Sequence, residues 1–189
     1  MMLNLQDTAQ ALNATLQGNP ELVFTRVTTD SRDIRAGDLF VALKGERFDA
    51  HDFVTQALAQ GAVAALVDHA VDGQCIIVND TLQALGQLAG YWRAKHVGIP
   101  LAAITGSNGK TSVKEMLSSV LAVHAGNADL VHATQGNLNN HIGLPLTLLG
   151  IRAEQRFVVA EMGMNHFGDR KSTRLNSSHP SISRMPSSA

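Results

Sequence analysis

The sequence predicts an α/β protein in two parts: a small N-terminal α/β domain, then an incomplete parallel-sheet domain of the P-loop kind. Three observations lead there. Short β-prone runs alternate with helical apolar stripes up to about residue 161. A glycine-flanked polar turn, "TGSNGKT", stands between an apolar run and a helical pattern. The composition, 44% apolar with few aromatics and charges of both signs, is that of a globular chain with a packed core.

The first part, residues 1–82, is read in order. "VFTRVTTDSR" opens with a β-prone run, and "GDLFVAL" (37–43) is a strand bounded by a turn signal. "AHDFVTQALAQG" is a helix with Phe53, Val54, Ala57 and Leu58 on one face and Gly61 placed to stop it. "AVAALV" and "CIIV" are short apolar runs suited to buried strands. Leu82, Leu85, Leu88, Ala89 and Trp92 recur at spacings of three and four, the stripe of a helix over 81–97 that leads into the second part, 83–169.

In that second part "LAAIT" (101–105) suits a central parallel strand. The helix after the glycine turn carries Val113, Met116, Leu117, Val120 and Leu121 on its apolar face. "LVHAT" and "FVVAE" (157–161) are two further strands, with "GLPLTLL" between them as a helix or apolar turn. The order is that of a doubly wound sheet. Residues 170–189 break the pattern with seven serines, no acid and no periodicity. They read as a disordered segment, either a natural polar tail or, as the abrupt shift favours, vector- or adapter-derived sequence.

Composition excludes several classes. The net charge of −1 conceals an acidic body: residues 170–189 hold four basic residues, which leaves 11 basic against 16 acidic residues, or −5, elsewhere. That argues against a nucleic-acid surface. No apolar run approaches the roughly 18 residues of a membrane span, and "MMLNLQDTAQ" lacks the pattern of a signal peptide, so no membrane association and a cytoplasmic location are expected. The single Cys75, inside "CIIV", can form neither an internal disulfide nor a cysteine-built metal site and reads as a buried hydrophobe.

The glycine turn has the chemistry of a nucleotide site. Gly106 and Gly109 let backbone pass close to phosphate, a helix N-terminus presents N–H groups, and Lys110 supplies a compact positive charge for the β- and γ-phosphates. Thr111 can ligate Mg²⁺ through its hydroxyl. The segment Thr105, Gly106, Ser107, Asn108, Gly109, Lys110, Thr111 and Ser112 is thus the predicted ATP site, although Ile104 stands where the strict P-loop pattern has glycine. Glu161 ends "FVVAE", where strand ends meet ligands in open α/β sheets. It reads either as a Mg²⁺ ligand opposite Thr111 or as a solvated strand-end acid. "QGNLNNHIGLP" gathers Asn137, Asn139, Asn140 and His141 into a loop of turn chemistry or a polar contact surface.

In combination, "TGSNGKTSVKEM", "GNLNNHIGLP" and "EMGMNHFG" resemble the ATP-dependent Mur ligases, and "TTDSRDIRAGDLFVALKGERFDAHDFVTQALAQGAVAALV" resembles that family's UDP-binding domain. The resemblance covers nearly all of residues 20–168. It implies a ligase of peptidoglycan-precursor synthesis, an amide-forming enzyme that uses ATP and Mg²⁺. The branch most resembled joins D-alanyl-D-alanine to UDP-N-acetylmuramoyl-tripeptide. ATP phosphorylates the carboxylate of the peptide, the amine attacks the acyl phosphate, and an amide, ADP and phosphate result. Carried onto this sequence, the resemblance makes Lys110 and Glu161 catalytic, puts Thr111 and Glu161 on the metal, and places Asn139 and Asn140 near the junction of ATP and acyl substrate. It gives Ser31 and Arg32 uridine-nucleotide contacts, against the plainer reading of a turn with a surface arginine. His166, in "NHFG", is a family signature without a role. A monomer is expected.

After "NHFG" the sequence departs from the family pattern, and "DRKSTRLNSS" stands where the central domain would continue. The expectation is therefore a fragment unable to complete the reaction alone. Three alternatives stay open: a nucleotide- or UDP-sugar-binding module without catalysis, a ligase for another amine such as the diaminopimelate- or lysine-adding or folylpolyglutamate enzymes, and a small-molecule P-loop kinase.

Overall fold

A computed structural model describes residues 1–45 and 48–163. The segment 170–189 and His166 lie outside the described residues. The chain is mixed α/β, as the alternation of patterns predicts. In the first part β1 (Leu3–Asn4) pairs antiparallel with β3 (Val23–Phe24), with α1 (Leu5–Leu12) between them. Asn4 caps α1 by accepting from the Asp7 N–H at 2.6 Å, and Asn13 ends it in the left-handed region at φ 50°.

The main sheet of this part has five strands: β2 (Thr15–Gln17), β4 (Arg26–Thr28), β5 (Asp38–Val41), β6 (Ala64–Val67) and β7 (Cys75–Ile77). Their order is β2-β7-β6-β5-β4, parallel except for the β2–β7 pair. β5 and β6 are buried at every position, so both faces of the sheet are covered, which is why their sequences, apart from the ion-paired Asp38, read as apolar runs. The predicted helix after residue 50 begins as a 3₁₀ turn, Ala50–Phe53, and becomes α2 (Val54–Ala59). Val54 and Ala57 are its buried residues, and Cys75 is fully buried in the same cluster, as its setting predicts.

His51 fastens that turn. Its Nδ1–H donates to Asp49 at 2.6 Å and its Nε2 accepts the Asp68 N–H at 3.1 Å, so one buried ring joins the end of β6 to the start of the turn. The His51 backbone N–H and ring together hold the Asp49 carboxyl down at about 2.

α3 (Thr81–Lys95) is capped by Asp80, whose carboxylate accepts from the N–H groups of Leu82 and Gln83, and it ends with Arg93 and Lys95 in the last turn. Leu85, Leu88, Ala89 and Trp92 are buried as the stripe predicts, but Leu82 is 38% exposed: it lies at the margin of the buried face, where Thr81 and Ala84 take the first-turn places. The helix packs on α1 and on α5 (Gly143–Leu149), and a single apolar cluster runs from Leu5 and Leu39 through Leu88 to Leu149 and Val158. One core therefore spans both parts.

The second sheet is β8 (Leu101–Ile104), β10 (Phe157–Glu161) and β9 (Val131–Ala133), all parallel, in the order β8-β10-β9. This corrects two expectations. "LAAIT" is an edge strand with Ala103 exposed, and β10, buried from Val158 to Glu161, takes the centre. In α4 (Lys110–Ala125) Val113, Met116, Val120 and Val123 are exposed, while Lys114, Leu117 and Leu121 face inward. Apolar spacing reports a stripe, but the neighbouring sheet selects which side of the helix it covers. Among the described residues no helix is long and apolar enough to cross a membrane.

Arg26 locks the edge of the five-stranded sheet. Its guanidinium meets the fully buried Asp38 through two hydrogen bonds, 2.9 and 2.6 Å, and reaches Asp33 at 2.8 Å, which raises its pKa still further. Asp38 also accepts the Arg35 N–H at 2.8 Å. Asp38→Ala leaves Arg26 with the exposed Asp33 alone, and we expect a loss of about 3 kcal/mol, the low end for breaking a buried ion pair. Urea denaturation followed by circular dichroism measures it; a loss below about 1 kcal/mol would contradict this account of the edge.

Candidate functional site

The site forms at the carboxyl ends of β8 and β10. β8 ends at Ile104, opposite Glu161 in the ladder, and the chain turns through Thr105, Gly106, Ser107 and Asn108 into α4. Gly109 sits at φ 75°, a conformation that strains any residue with a Cβ, and it starts the helix without a side-chain cap. The first turn of α4 therefore offers N–H groups and the positive end of a sixteen-residue helix to an anion. Thr105 to Gly109 are exposed, as are Thr111 and Ser112. Lys110 folds back, its Nζ donating to the Gly106 carbonyl at 2.8 Å.

Glu161 is the opposite case. It is 2% exposed, which rules out the solvated strand-end reading. A carboxylate taken from water needs partners. It accepts from the Thr111 hydroxyl at 3.1 Å on Oε2 and from the Asn139 side-chain amide at 2.8 Å on Oε1. Its own backbone N–H donates to the Thr134 hydroxyl at 2.9 Å. The structure thus brings Thr111, Glu161 and Asn139 together, two oxygen groups suited to a hard cation and one amide.

The two asparagines divide the readings of their loop. Asn139 touches Glu161, and its carbonyl accepts the Gly163 N–H at 2.6 Å. Asn140 does turn chemistry: its Oδ1 accepts the N–H groups of Ile142 and Gly143, at 3.0 and 2.7 Å, at the start of α5. Gly143 has backbone of Leu138 2.4 Å from where a Cβ would stand, so only glycine fits there.

Ser31 and Arg32 lie apart from this centre, in a turn after β4. Asp30 accepts the Arg32 N–H at 2.9 Å and pairs with its guanidinium at 2.9 and 2.8 Å, which holds the Asp30 carboxyl at about 2. The same turn walls a hollow of about 510 Å³ with Thr29, Phe48 and Phe53. The two rings stack, centroids 5.3 Å apart, and Phe48 is 57% exposed. Sequence reasoning missed this aromatic wall because Phe48 and Phe53 are brought together by the turn at Asp49.

A smaller hollow of about 230 Å³ lies between the two parts, with Arg26 on one side and His132, Thr147 and Arg152 on the other. His132 donates from Nε2 to the Thr147 carbonyl at 2.7 Å, and burial lowers its pKa. Arg152 crosses the gap to the Thr25 carbonyl at 3.1 Å.

Comparison with known proteins covers both parts. Residues 23–103 match the model of the Mur ligase family catalytic domain, and residues 104–182 match the Mur ligase middle domain. UDP-N-acetylmuramoyl-tripeptide–D-alanyl-D-alanine ligase of Escherichia coli K12 is 47% identical over 169 residues, 88% of this chain and 36% of that protein. The protein of the same name from Bacillus subtilis is 42% identical over 173 residues, 87% of this chain and 36% of that one. Among solved structures, MurF from Acinetobacter baumannii is 40% identical with a TM-score of 0.84, over 93% of this chain and 38% of that one. The MurF ligase of Thermotoga maritima in complex with ADP is 32% identical with a TM-score of 0.68, over 82% of this chain and 36% of that one. The chain thus spans a little over a third of the length of the relatives it matches.

The buried His132 gives a pH test. Its folded pKa lies below the ordinary 6.5, so the unfolded chain binds the proton more readily. Its contribution to stability is complete above that ordinary value and is lost as pH falls through the lowered one. Urea midpoints taken from about pH 7.5 down to about pH 5 should fall less steeply in His132→Gln than in the parent; parallel curves would sink the assignment.

Proposed function

The chain belongs to the Mur ligase family, and on that premise we propose that it serves ATP-dependent amide formation on a peptidoglycan precursor: the addition of D-alanyl-D-alanine to UDP-N-acetylmuramoyl-tripeptide through an acyl phosphate. One observation carries the reading, the buried Glu161 carboxylate held by Thr111 of the glycine loop. The choice of D-alanyl-D-alanine over another amine is supported by the names of the relatives at 42–47% identity. A reaction that consumes ATP and a UDP-linked precursor has its place in the cytoplasm.

A carboxylate is a poor electrophile until its oxygen becomes a leaving group, and phosphorylation supplies one. The residues divide that work. Backbone from Thr105 to Ser112 receives the ATP phosphates at the uncapped start of α4. Lys110, held to its own loop by a single exposed bond to the Gly106 carbonyl, swings to the phosphoryl oxygens and stabilises the charge that develops there. Thr111 and Glu161 fit Mg²⁺, because a buried carboxylate and an adjacent hydroxyl form an oxygen pair whose present partners are exchangeable donors. The ion, when bound, neutralises charge between the phosphates. Asn139 orients Glu161 and faces the acyl substrate, while Asn140 shapes the loop that carries it.

The hollow beside Ser31 and Arg32 is the proposed seat of the uridine nucleotide. Phe48 and Phe53 offer a ring face for stacking the base, and Arg32 a guanidinium for the diphosphate. The proposed division into residues 1–82 for the UDP precursor and 83–169 for ATP is supported by the separation of these two seats, with α3 running across the boundary.

Calorimetry on the 189-residue chain separates them. With Mg²⁺ present, Lys110→Ala should weaken ADP binding by about 10- to 100-fold, the range for a charge-assisted hydrogen bond, and leave binding of the UDP precursor unchanged. Ser31→Phe should do the reverse. Loss of neither ligand in either variant would overturn the two-seat reading, and release of phosphate with both substrates would extend it to turnover by this chain.

A further inference from the structure

Lys114 carries a buried charge to which the proposed chemistry gives no task. It sits on the inward stripe of α4 with Leu117 and Leu121, where the helix register calls for an apolar residue, and it is 3% exposed. Burying an ammonium is unfavourable unless its donors are met. One donor goes to the Thr134 carbonyl at 2.8 Å, inside the protein. Another meets Glu115 Oε1 at 2.9 Å, but that carboxylate is 68% exposed and is a weak, solvent-screened partner. The buried bond to Thr134 is the one that accounts for a lysine here.

Thr134 is itself 2% exposed and is the hub of three bonds. Its N–H donates to the Val159 carbonyl at 3.0 Å, its carbonyl receives Lys114, and its hydroxyl receives the Glu161 N–H at 2.9 Å. The β9–β10 ladder ends at the Ala133–Val159 pair, so Glu161 lies beyond it and its N–H is held by a side chain instead. α4 therefore grips Glu161 twice. Thr111 holds the carboxylate directly, and Lys114, one helical turn on, holds the backbone through Thr134.

From this we infer that Lys114 is a positioning residue for the metal-binding carboxylate: through Thr134 it fixes where Glu161 presents its oxygens to the cation beside the phosphate loop. The inference rests on the reading of Thr111 and Glu161 as the Mg²⁺ pair given above. Groups that orient a ligand from behind change metal affinity by about 10- to 100-fold when removed. A lysine serving only to fill the core would leave the metal dependence alone.

The test measures ADP affinity of the 189-residue chain by calorimetry with Mg²⁺ and with EDTA, for the parent, Lys114→Met, Lys114→Arg and Thr134→Val. The parent should bind ADP more tightly with Mg²⁺. Lys114→Met and Thr134→Val should lose about 10-fold or more in the Mg²⁺-dependent affinity while the EDTA value stays within about 2-fold. Lys114→Arg, which can still donate to the Thr134 carbonyl, should recover part of the loss. Should Lys114→Met fail to fold, Lys114→Arg decides the lysine's part, a loss of Mg²⁺-dependent affinity being expected from its altered donor, and Thr134→Val, which keeps the shape and the carbonyl and removes only the hydroxyl, decides the link from Thr134 to Glu161. Mg²⁺ dependence equal to the parent's in a folded Lys114→Met or in Thr134→Val, or a loss equally large in EDTA, overturns the inference and leaves the Mg²⁺ pair standing. A parent whose ADP binding ignores Mg²⁺ overturns both.

Discussion

A carboxylate removed from water is the constraint around which the second half of the molecule is arranged. Glu161 is at the end of the central strand, and its partners come from three places that the chain reaches separately: Thr111 on α4, Asn139 on the loop before α5, and Thr134 just past β9. A polar carboxyl group at 2% exposure does not tolerate a missing partner. The start of α4, the path of the asparagine loop and the stagger of β10 against β8 and β9 must therefore be right together. The close approach of Gly143 to Leu138, and of Gly163 to Asn139, follows from packing that loop tightly enough to deliver one amide to one oxygen.

Much of this was legible in the residues. Short apolar runs and turn signals located β5, β6, β7 and β10, and the setting of Cys75 in "CIIV" foretold its burial. The glycine turn with Lys110 and Thr111 announced the loop, since its chemistry is local. What escaped depends on which elements become neighbours. "LAAIT" and "FVVAE" are equally apolar, and nothing in either decides that the second occupies the centre of the sheet. The stripe Val113, Met116 and Val120 has the right spacing, yet the side of α4 against the sheet is the one bearing Lys114. A lysine among serines and a glutamate looks like a solvated face in one dimension. Only the proximity of Thr134, twenty residues on, makes it a buried donor. In the same way Asn139 and Asn140 are indistinguishable as residue types, and the fold alone assigns one to a carboxylate and the other to a helix start.

The two parts are not independent bodies joined by a strap. α3 contributes Leu85, Leu88 and Trp92 to a core that also takes Leu39 from the first sheet and Leu149 and Val158 from the second half. Arg152 adds a polar stitch to the Thr25 carbonyl. A displacement of one sheet against the other would thus disturb apolar packing in α3 before it reached either proposed ligand seat.

Trp92 stands at that junction, 5% exposed, with its indole N–H donating to the Ile151 carbonyl at 2.9 Å and its ring 4.4 Å, centroid to centroid, from that of His96. It is the single tryptophan of the chain. Nature has placed the molecule's one strong fluorophore at the joint between the two sheets, hydrogen-bonded to the segment that leads into Glu161's strand. Its emission colour and lifetime report on the polarity and packing of that joint without a label.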